Sequence, residues 1–351
     1  MNKFLSSPLL QKSLFHLHTQ FFSQVADKEI LNSIIKSGRI KRILVTGGHG
    51  QLGTEILPYL NQIYGSDNIL VTDIIQKSNA ICKNFQFLDV LDRNKVESMI
   101  QLFKPDYIIH FAAKLSAIGE LNPKACLSVN IDGFKNVLDV ACEKKISLFT
   151  PSTIGAFGVT TPKINTPNTT IMRPSTIYGC SKVFTELLGS YYKQKYGMDF
   201  RSIRYAQTIS CTEAFGGSGD FSIEIFYGAI RKKEYTCYLK EKTRMSFLYI
   251  DDLIAGTLKM IETDSEKLSE SVYNIQSCSF SVGELAAAIR KHISDFEVKY
   301  EIDFRQKIVD TWPESLDDSL SRKDWGYNPK YNLGQMTSIM LKLVKEKLSY
   351  G

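Results

Sequence analysis

Acid is what the start of this chain lacks: none stands before Asp27. Residues 1–42 hold seven Lys or Arg against two acids, and the remaining chain holds 36 against 35, so the formal charge of +6 sits almost wholly in the head. The body is neutral and has no basic stripe interleaved with aromatics, which excludes a nucleic-acid cradle. No apolar run approaches the roughly 18–20 residues needed to cross a bilayer. The longest, such as Tyr107–Ala113, are strand-sized, so no membrane partner is expected. The seven cysteines are odd in number and never closer than 16 residues apart. That excludes a disulfide framework and the spacing of a zinc site, and no metal is expected.

What is there begins with the head. Lys3, Lys12, His16 and His18 alternate with Phe4, Leu5, Leu9, Leu10, Leu14, Phe15 and several serines. An acid-free, Ser-containing, amphipathic head suits a mitochondrial transit peptide better than a secretory signal. A plain extension on a cytoplasmic protein is the alternative. The chain is accordingly divided into an extension at 1–40, a nucleotide-binding domain at 41–210 and mainly a substrate-binding lobe at 211–351, some of whose segments return to the first domain.

Past the head, strand and helix alternate. Arg42–Thr46, Asn68–Asp73, Phe85–Asp89, Tyr107–Phe111, Ile146–Thr150 and Asp199–Arg204 read as strands, with helices over Leu52–Ile63, Arg93–Phe103, Asn130–Lys144 and Tyr178–Tyr196. Near-continuous apolar strands between helices predict an α/β protein. Its expected form is a Rossmann-type doubly wound parallel sheet with a smaller C-terminal substrate-binding lobe.

The first chemistry lies in Thr46-Gly47-Gly48-His49-Gly50-Gln51-Leu52-Gly53, between a strand and a helix. Glycines there let the backbone approach a pyrophosphate, and the helix N-terminus points free N–H groups at the anion. Asp73 closes the second strand, where a carboxylate accepts from the adenosine ribose and repels a 2′-phosphate, so NAD is the expected cofactor. Asp89 and Val90 follow the third strand and suit either the adenine edge or a cap for the helix at Arg93.

Tyr178-Gly-Cys-Ser-Lys182 puts a phenol and an ammonium at i and i+4 of one helix. The lysine is expected to lower the tyrosine pKa, letting it take a hydroxyl proton as hydride leaves the carbinol carbon. With the glycine loop some 130 residues upstream, the chain resembles an extended short-chain dehydrogenase. Pro151-Ser-Thr-Ile-Gly-Ala-Phe-Gly158, Pro174-Ser-Thr-Ile-Tyr-Gly-Cys-Ser-Lys182, Thr311-Trp-Pro-Glu-Ser-Leu-Asp-Asp318 and Arg322-Lys-Asp-Trp-Gly326 more closely resemble the short-chain-type L-threonine 3-dehydrogenases. So do Lys114–Ala117, Gly216–Phe221 and Thr243–Tyr249.

That resemblance implies NAD-dependent oxidation of L-threonine to L-2-amino-3-oxobutanoate by a homodimer. It implies a catalytic trio of Tyr178, Lys182 and Thr153, with Ser152 the alternative to Thr153. Phe111, Ala112, Ala113, Lys114, Asn130 and Thr208 would lie along the cofactor. Ser116, Thr153, Tyr178, Ser218 or Asp220, and Trp312 would surround L-threonine; Trp312 read structurally is an anchor of the lobe.

Two departures from the family pattern stand out. Where the family reads Arg-Tyr-Pro-Gly-Ile-Ile, this chain has Arg204-Tyr-Ala-Gln-Thr-Ile209. Where it places two threonines before an aspartate, this chain has Ser218-Gly219. The rival readings are a nucleotide-sugar epimerase or dehydratase on the same scaffold, and a catalytically silent NAD-binding sensor or structural protein.

Overall fold

The computed structural model describes residues 42–75, 83–212 and 216–349; the basic head with its transit-peptide reading lies outside them. Its strands are β1 (Ile43–Thr46), β2 (Ile69–Asp73), β3 (Phe85–Phe87), β4 (Tyr107–His110), β5 (Ser147–Thr153) and β6 (Phe200–Tyr205). β7 (Gln207–Ile209), β8 (Glu234–Cys237), β9 (Arg244–Tyr249), β10 (Val272–Ile275), β11 (Cys278–Ser281) and β12 (Glu297–Tyr300) follow. The helices that matter for the site are α1 (Gln51–Tyr64), α2 (Arg93–Phe103), α3 (Ser116–Leu121), α4 (Pro123–Leu127), α5 (Phe134–Glu143), α6 (Ile177–Tyr196) and α7 (Phe221–Lys232).

Seven parallel strands make the central sheet in the order β10-β6-β5-β4-β1-β2-β3. The doubly wound sheet expected from the sequence is the one observed. Its strands read as unbroken apolar runs because both faces are covered. Successive side chains go to opposite faces: Ile43, Val45, Ile69, Val71 and Ile109 join one core, while Leu44, Leu70 and Ile108 join the other. The order of strands reverses between β1 and β4, and in such sheets the ligand crevice opens at the carboxyl ends of the strands flanking that reversal.

Beyond β6 the chain builds two small sheets, β11-β9-β7 and β12-β8, and returns β10 to the edge of the central sheet beside β6. Among the described residues no helix is long and apolar enough to cross a membrane.

Local chemistry sets the helix ends. Asp92 caps α2 by accepting from the Lys95 N–H at 3.1 Å, and Thr176 caps α6 by accepting from Gly179 N–H at 3.0 Å; such caps satisfy N–H groups that a helix leaves open. Two expected elements are corrected. The stretch read as one helix from Asn130 to Lys144 begins as a π turn over Ser128–Gly133 before α5. The fifth strand runs to Thr153 rather than stopping at Thr150, which carries Ser152 and Thr153 to the carboxyl edge of the sheet.

Candidate active site

The glycine loop joins β1 to α1 at the point of strand reversal. Gly47 takes φ +67°, and a β-carbon there would press on the backbone of Ala112 and Phe111. Glycine is required at this position because only it accepts both the left-handed backbone and the close approach. The Phe111–Ala113 segment is thereby fixed against the loop, and Phe111 N–H donates to Thr46 O at 2.9 Å. Gly50 is the N-cap of α1 and has no side chain to close the helix end. An uncapped helix N-terminus lined by glycine suits a pyrophosphate.

Asp73 lies beside that loop. Its carboxylate accepts from His49 N–H at 2.9 Å and from Ile75 N–H at 3.0 Å, so it is fixed at the end of β2, facing the loop. The His49 ring stacks on Phe85 at 4.8 Å and its Nδ1 donates to Ile75 O at 2.6 Å. Asp89 is not the cap of α2; Asp92 is, and Asp89 instead accepts from Leu91 N–H at 3.0 Å. Val90 is buried and its carbonyl accepts from Asn136 at 3.0 Å.

The π turn explains Asn130. From it the Asn130 side chain accepts from Lys114 N–H at 2.8 Å, donates to Lys114 O at 3.0 Å and donates to Ser181 at 3.0 Å. One amide thus ties the segment after β4 to the helix of the tyrosine–lysine pair. π turns inside helices recur at functional sites.

Tyr178 and Lys182 are both buried on the first turns of α6, Lys182 Nζ lying 5.8 Å from the Tyr178 ring centre and donating to Pro151 O at 2.7 Å. Thr153, at the end of β5, lies beside Tyr178 next to Gly155 and accepts from Gly155 N–H at 3.1 Å. Strand alternation turns Ser152 the other way, where its hydroxyl donates to Glu186. Of the two hydroxyl residues, Thr153 is the one beside the phenol.

The expected lowering of the tyrosine pKa is corrected. Burial pushes Tyr178 up to about 12, against a smaller lowering by the Thr153 hydrogen bond. Burial also brings Lys182 down to about 8, opposed by the nearby Glu186 carboxylate. In this pair desolvation of the charged forms outweighs their mutual help.

Sequence reasoning passed over two buried groups around the pair. His110, held by Thr46 at 2.7 Å, is kept neutral by burial and by the Lys182 charge, its pKa down to about 3. Glu186, one helical turn past Lys182, takes a bidentate grip from Arg204 at 2.8–3.1 Å. Both members of that ion pair are buried. Only a Glu four residues after Lys182 could have hinted at it.

Ser218 N–H donates to Ser116 Oγ at 3.2 Å, and the two hydroxyls lie 3.3 Å apart. Ile118 N–H donates to Gly216 O at 3.4 Å, so the glycine-rich loop docks on the start of α3. Asp220 accepts from Gly216 and Gly217 N–H at 2.9 and 2.7 Å. Its carboxylate therefore shapes the loop, and burial raises its pKa to about 6. Trp312 is buried in the larger core, and its carbonyl accepts from Lys163 at 2.9 Å. Thr208 lies on β7, paired with Leu248. Among the described residues no cluster of His, Cys, Asp or Glu could hold a metal ion.

A nucleotide loop at a strand reversal, a buried tyrosine–lysine–threonine group and a serine-lined loop define an NAD-linked site. Residues 43–275 match the model of the NAD dependent epimerase/dehydratase family, and the chain belongs to that family. Its cofactor is NAD. An uncharacterized epimerase/dehydratase of Staphylococcus haemolyticus is 44% identical over 314 residues, covering 88% of this chain and 99% of that protein. The crystal structure of L-threonine dehydrogenase from Phytophthora infestans is 44% identical with a TM-score of 0.85, covering 88% of this chain and 100% of that one. A monomeric L-threonine 3-dehydrogenase of metagenomic origin is 38% identical with a TM-score of 0.84, covering 87% and 99%. The resemblance read in the sequence thus holds for the family and for the solved structures. The bacterial relative lends no support to a mitochondrial address.

Proposed function

We propose that this chain is an NAD-dependent L-threonine 3-dehydrogenase, oxidising the substrate hydroxyl to the ketone of L-2-amino-3-oxobutanoate. The observation that carries the reading is the buried Tyr178 and Lys182 on one helix, beside Thr153 at the carboxyl edge of β5. L-threonine dehydrogenases of known structure resemble the chain over nearly their whole length.

The residues divide the work. Gly47, Gly48, Gly50 and the N–H groups opening α1 hold the pyrophosphate, with Gln51, Leu52 and Gly53 continuing the turn into the helix. Asp73 receives the adenosine ribose. NAD bound there would supply the hydride acceptor. Thr153 and Tyr178 hold the substrate hydroxyl, and Tyr178 takes its proton at the phenol oxygen. The Lys182 ammonium steadies the phenolate. Ser116 and Ser218 meet the amino-acid end, while Asp220 keeps the glycine-rich loop in shape and Trp312 walls the far side.

The alternative on the same scaffold, a nucleotide-sugar epimerase, shares the family. It would need a group of basic side chains for a second diphosphate, whereas the loop here presents Ser218 against Ser116. NADH formation by the purified protein with L-threonine tests the proposal. Turnover of a nucleotide sugar without turnover of L-threonine would overturn it.

The exposed part of α6, with Phe184, Leu187, Tyr191 and Tyr196 outward, supports assembly as a homodimer. Leu188 and Tyr192 pack inward, and Tyr192 donates to Asp139 at 2.5 Å.

A further inference from the structure

Gln207 and Gly219, twelve residues apart in the chain, are brought together by the fold. A β-carbon at 219 would overlap the side-chain oxygen and carboxamide carbon of Gln207 and stand 2.9 Å from its Cγ. Gly219 does not have the left-handed backbone that favours glycine. A side chain at 219 would therefore have to displace the carboxamide end of Gln207, while φ sets no bar. The loop itself is held: Gly219 O accepts from Ser222 N–H at 3.1 Å and from the Ser222 hydroxyl at 2.9 Å.

The place of contact is the substrate wall. Thr153 pairs with Tyr205 across β5 and β6, so residue 207 stands two positions further along, at the same carboxyl edge. Gly219 follows Ser218, whose N–H rests on Ser116. Gln207 is half-buried, its carboxamide lies against position 219, and its amide makes only a long bond of 3.4 Å to Thr208 O. A good N–H···O bond is near 2.9 Å, so this amide retains most of its donor capacity.

We infer that Gln207 is a specificity-determining residue of the substrate site, filling the room that a side chain at 219 would take. Its N–H groups suit the carboxylate and its oxygen the ammonium of a 2-amino-3-hydroxy acid, and its bulk admits only a short side chain on the carbinol carbon. The assignment rests on the dehydrogenase reading above and adds the residue that selects among 3-hydroxy acids.

The test compares wild type with Gln207→Gly, Gly219→Thr and the double variant. Each is assayed for NADH formation with L-threonine, L-serine, L-threo-3-phenylserine and 3-hydroxybutyrate, and NAD binding is titrated separately. Gln207→Gly should raise the KM for L-threonine about ten- to a hundredfold, the worth of a hydrogen bond to a charged group. It should leave NAD affinity unchanged and admit phenylserine. Gly219→Thr alone should lose at least as much, because its side chain meets Gln207. The double variant should recover toward wild type, a non-additivity that marks contact. An unaltered KM and substrate order in Gln207→Gly, or losses that simply add in the double variant, would overturn the inference. A wild type inactive on L-threonine would refute the proposed function alone. The order of rates over the other three compounds would still read Gln207, a shifted order supporting it and an unchanged one overturning it. Silence of all four proteins on all four compounds would overturn both.

Discussion

Replacing Tyr178 with Phe is the perturbation that bears most directly on the chemistry. The ring stays in its buried place, and what is lost is the hydroxyl. With a pKa of about 12, roughly one phenol in ten thousand is ionised at pH 8. Each tenfold gain in phenolate costs about 1.4 kcal/mol of favourable charge nearby. The Lys182 ammonium is the protein's contribution, and it discharges as pH passes about 8. Wild-type turnover of L-threonine should therefore climb with pH and bend over near 8, where the neutral amine stops stabilising phenolate. Positioned proton transfer is worth roughly 10²–10⁴-fold, so Tyr178→Phe should lose that much in kcat and lose the rising limb. NAD affinity should change little, whereas Lys182→Ala should lose both rate and affinity. The assay is steady-state NADH formation from pH 6 to 10, with cofactor binding titrated alongside. A Tyr178→Phe protein that kept near-full rate and the same limb would place the base elsewhere and refute the scheme.

Four further outcomes are expected. Asp73→Ala should relax the preference for NAD over NADP, read as the ratio of kcat/KM for the two; equal use by wild type would defeat the argument from that carboxylate. Glu186→Gln should destabilise the fold by about 3–5 kcal/mol in urea unfolding, since it leaves the buried Arg204 charge unmatched. It should also lower the Lys182 pKa, shifting the bend of the pH profile downward; an unmoved bend would remove Glu186 from the account. Asp220 has a folded pKa of about 6 against an ordinary 3.8, so the folded state holds its proton more tightly. Stability should fall by about 2–3 kcal/mol as pH rises across that window, and this part of the slope should vanish in Asp220→Asn, as melting curves would show. Sedimentation at micromolar concentration should show a dimer that Leu187→Lys dissociates; a monomeric wild type would end that expectation.

Much of the nucleotide half was legible from residues alone. β1, β2 and β4 are unbroken apolar runs with both faces buried, and the glycine loop sits between a strand and a helix where its chemistry requires. That Tyr178 and Lys182 share one face of a helix was legible from their spacing. What stayed hidden was set by pairs distant in sequence. Ser116 meets Ser218 across 102 residues, and no local pattern marks such a meeting. The same holds for Glu186 and Arg204 and for Gln207 and Gly219. The π turn escaped because a helical period reads straight through it. The tyrosine pKa was misjudged because spacing reveals the lysine neighbour but not the depth of burial, and burial won.

That π turn has a consequence for how the chain can change. A helical residue advances the wheel by about 100°, and the turn adds such a step between Asn130 and α5. Asn130 can thus aim at Lys114 and Ser181 while Val137, Leu138 and Ala141 still lie against the sheet. Were one residue lost between positions 128 and 133, a regular helix could keep one of these alignments but not both. The segment is an indexing gear between the cofactor wall and the core: tolerant of many substitutions, intolerant of a change in length.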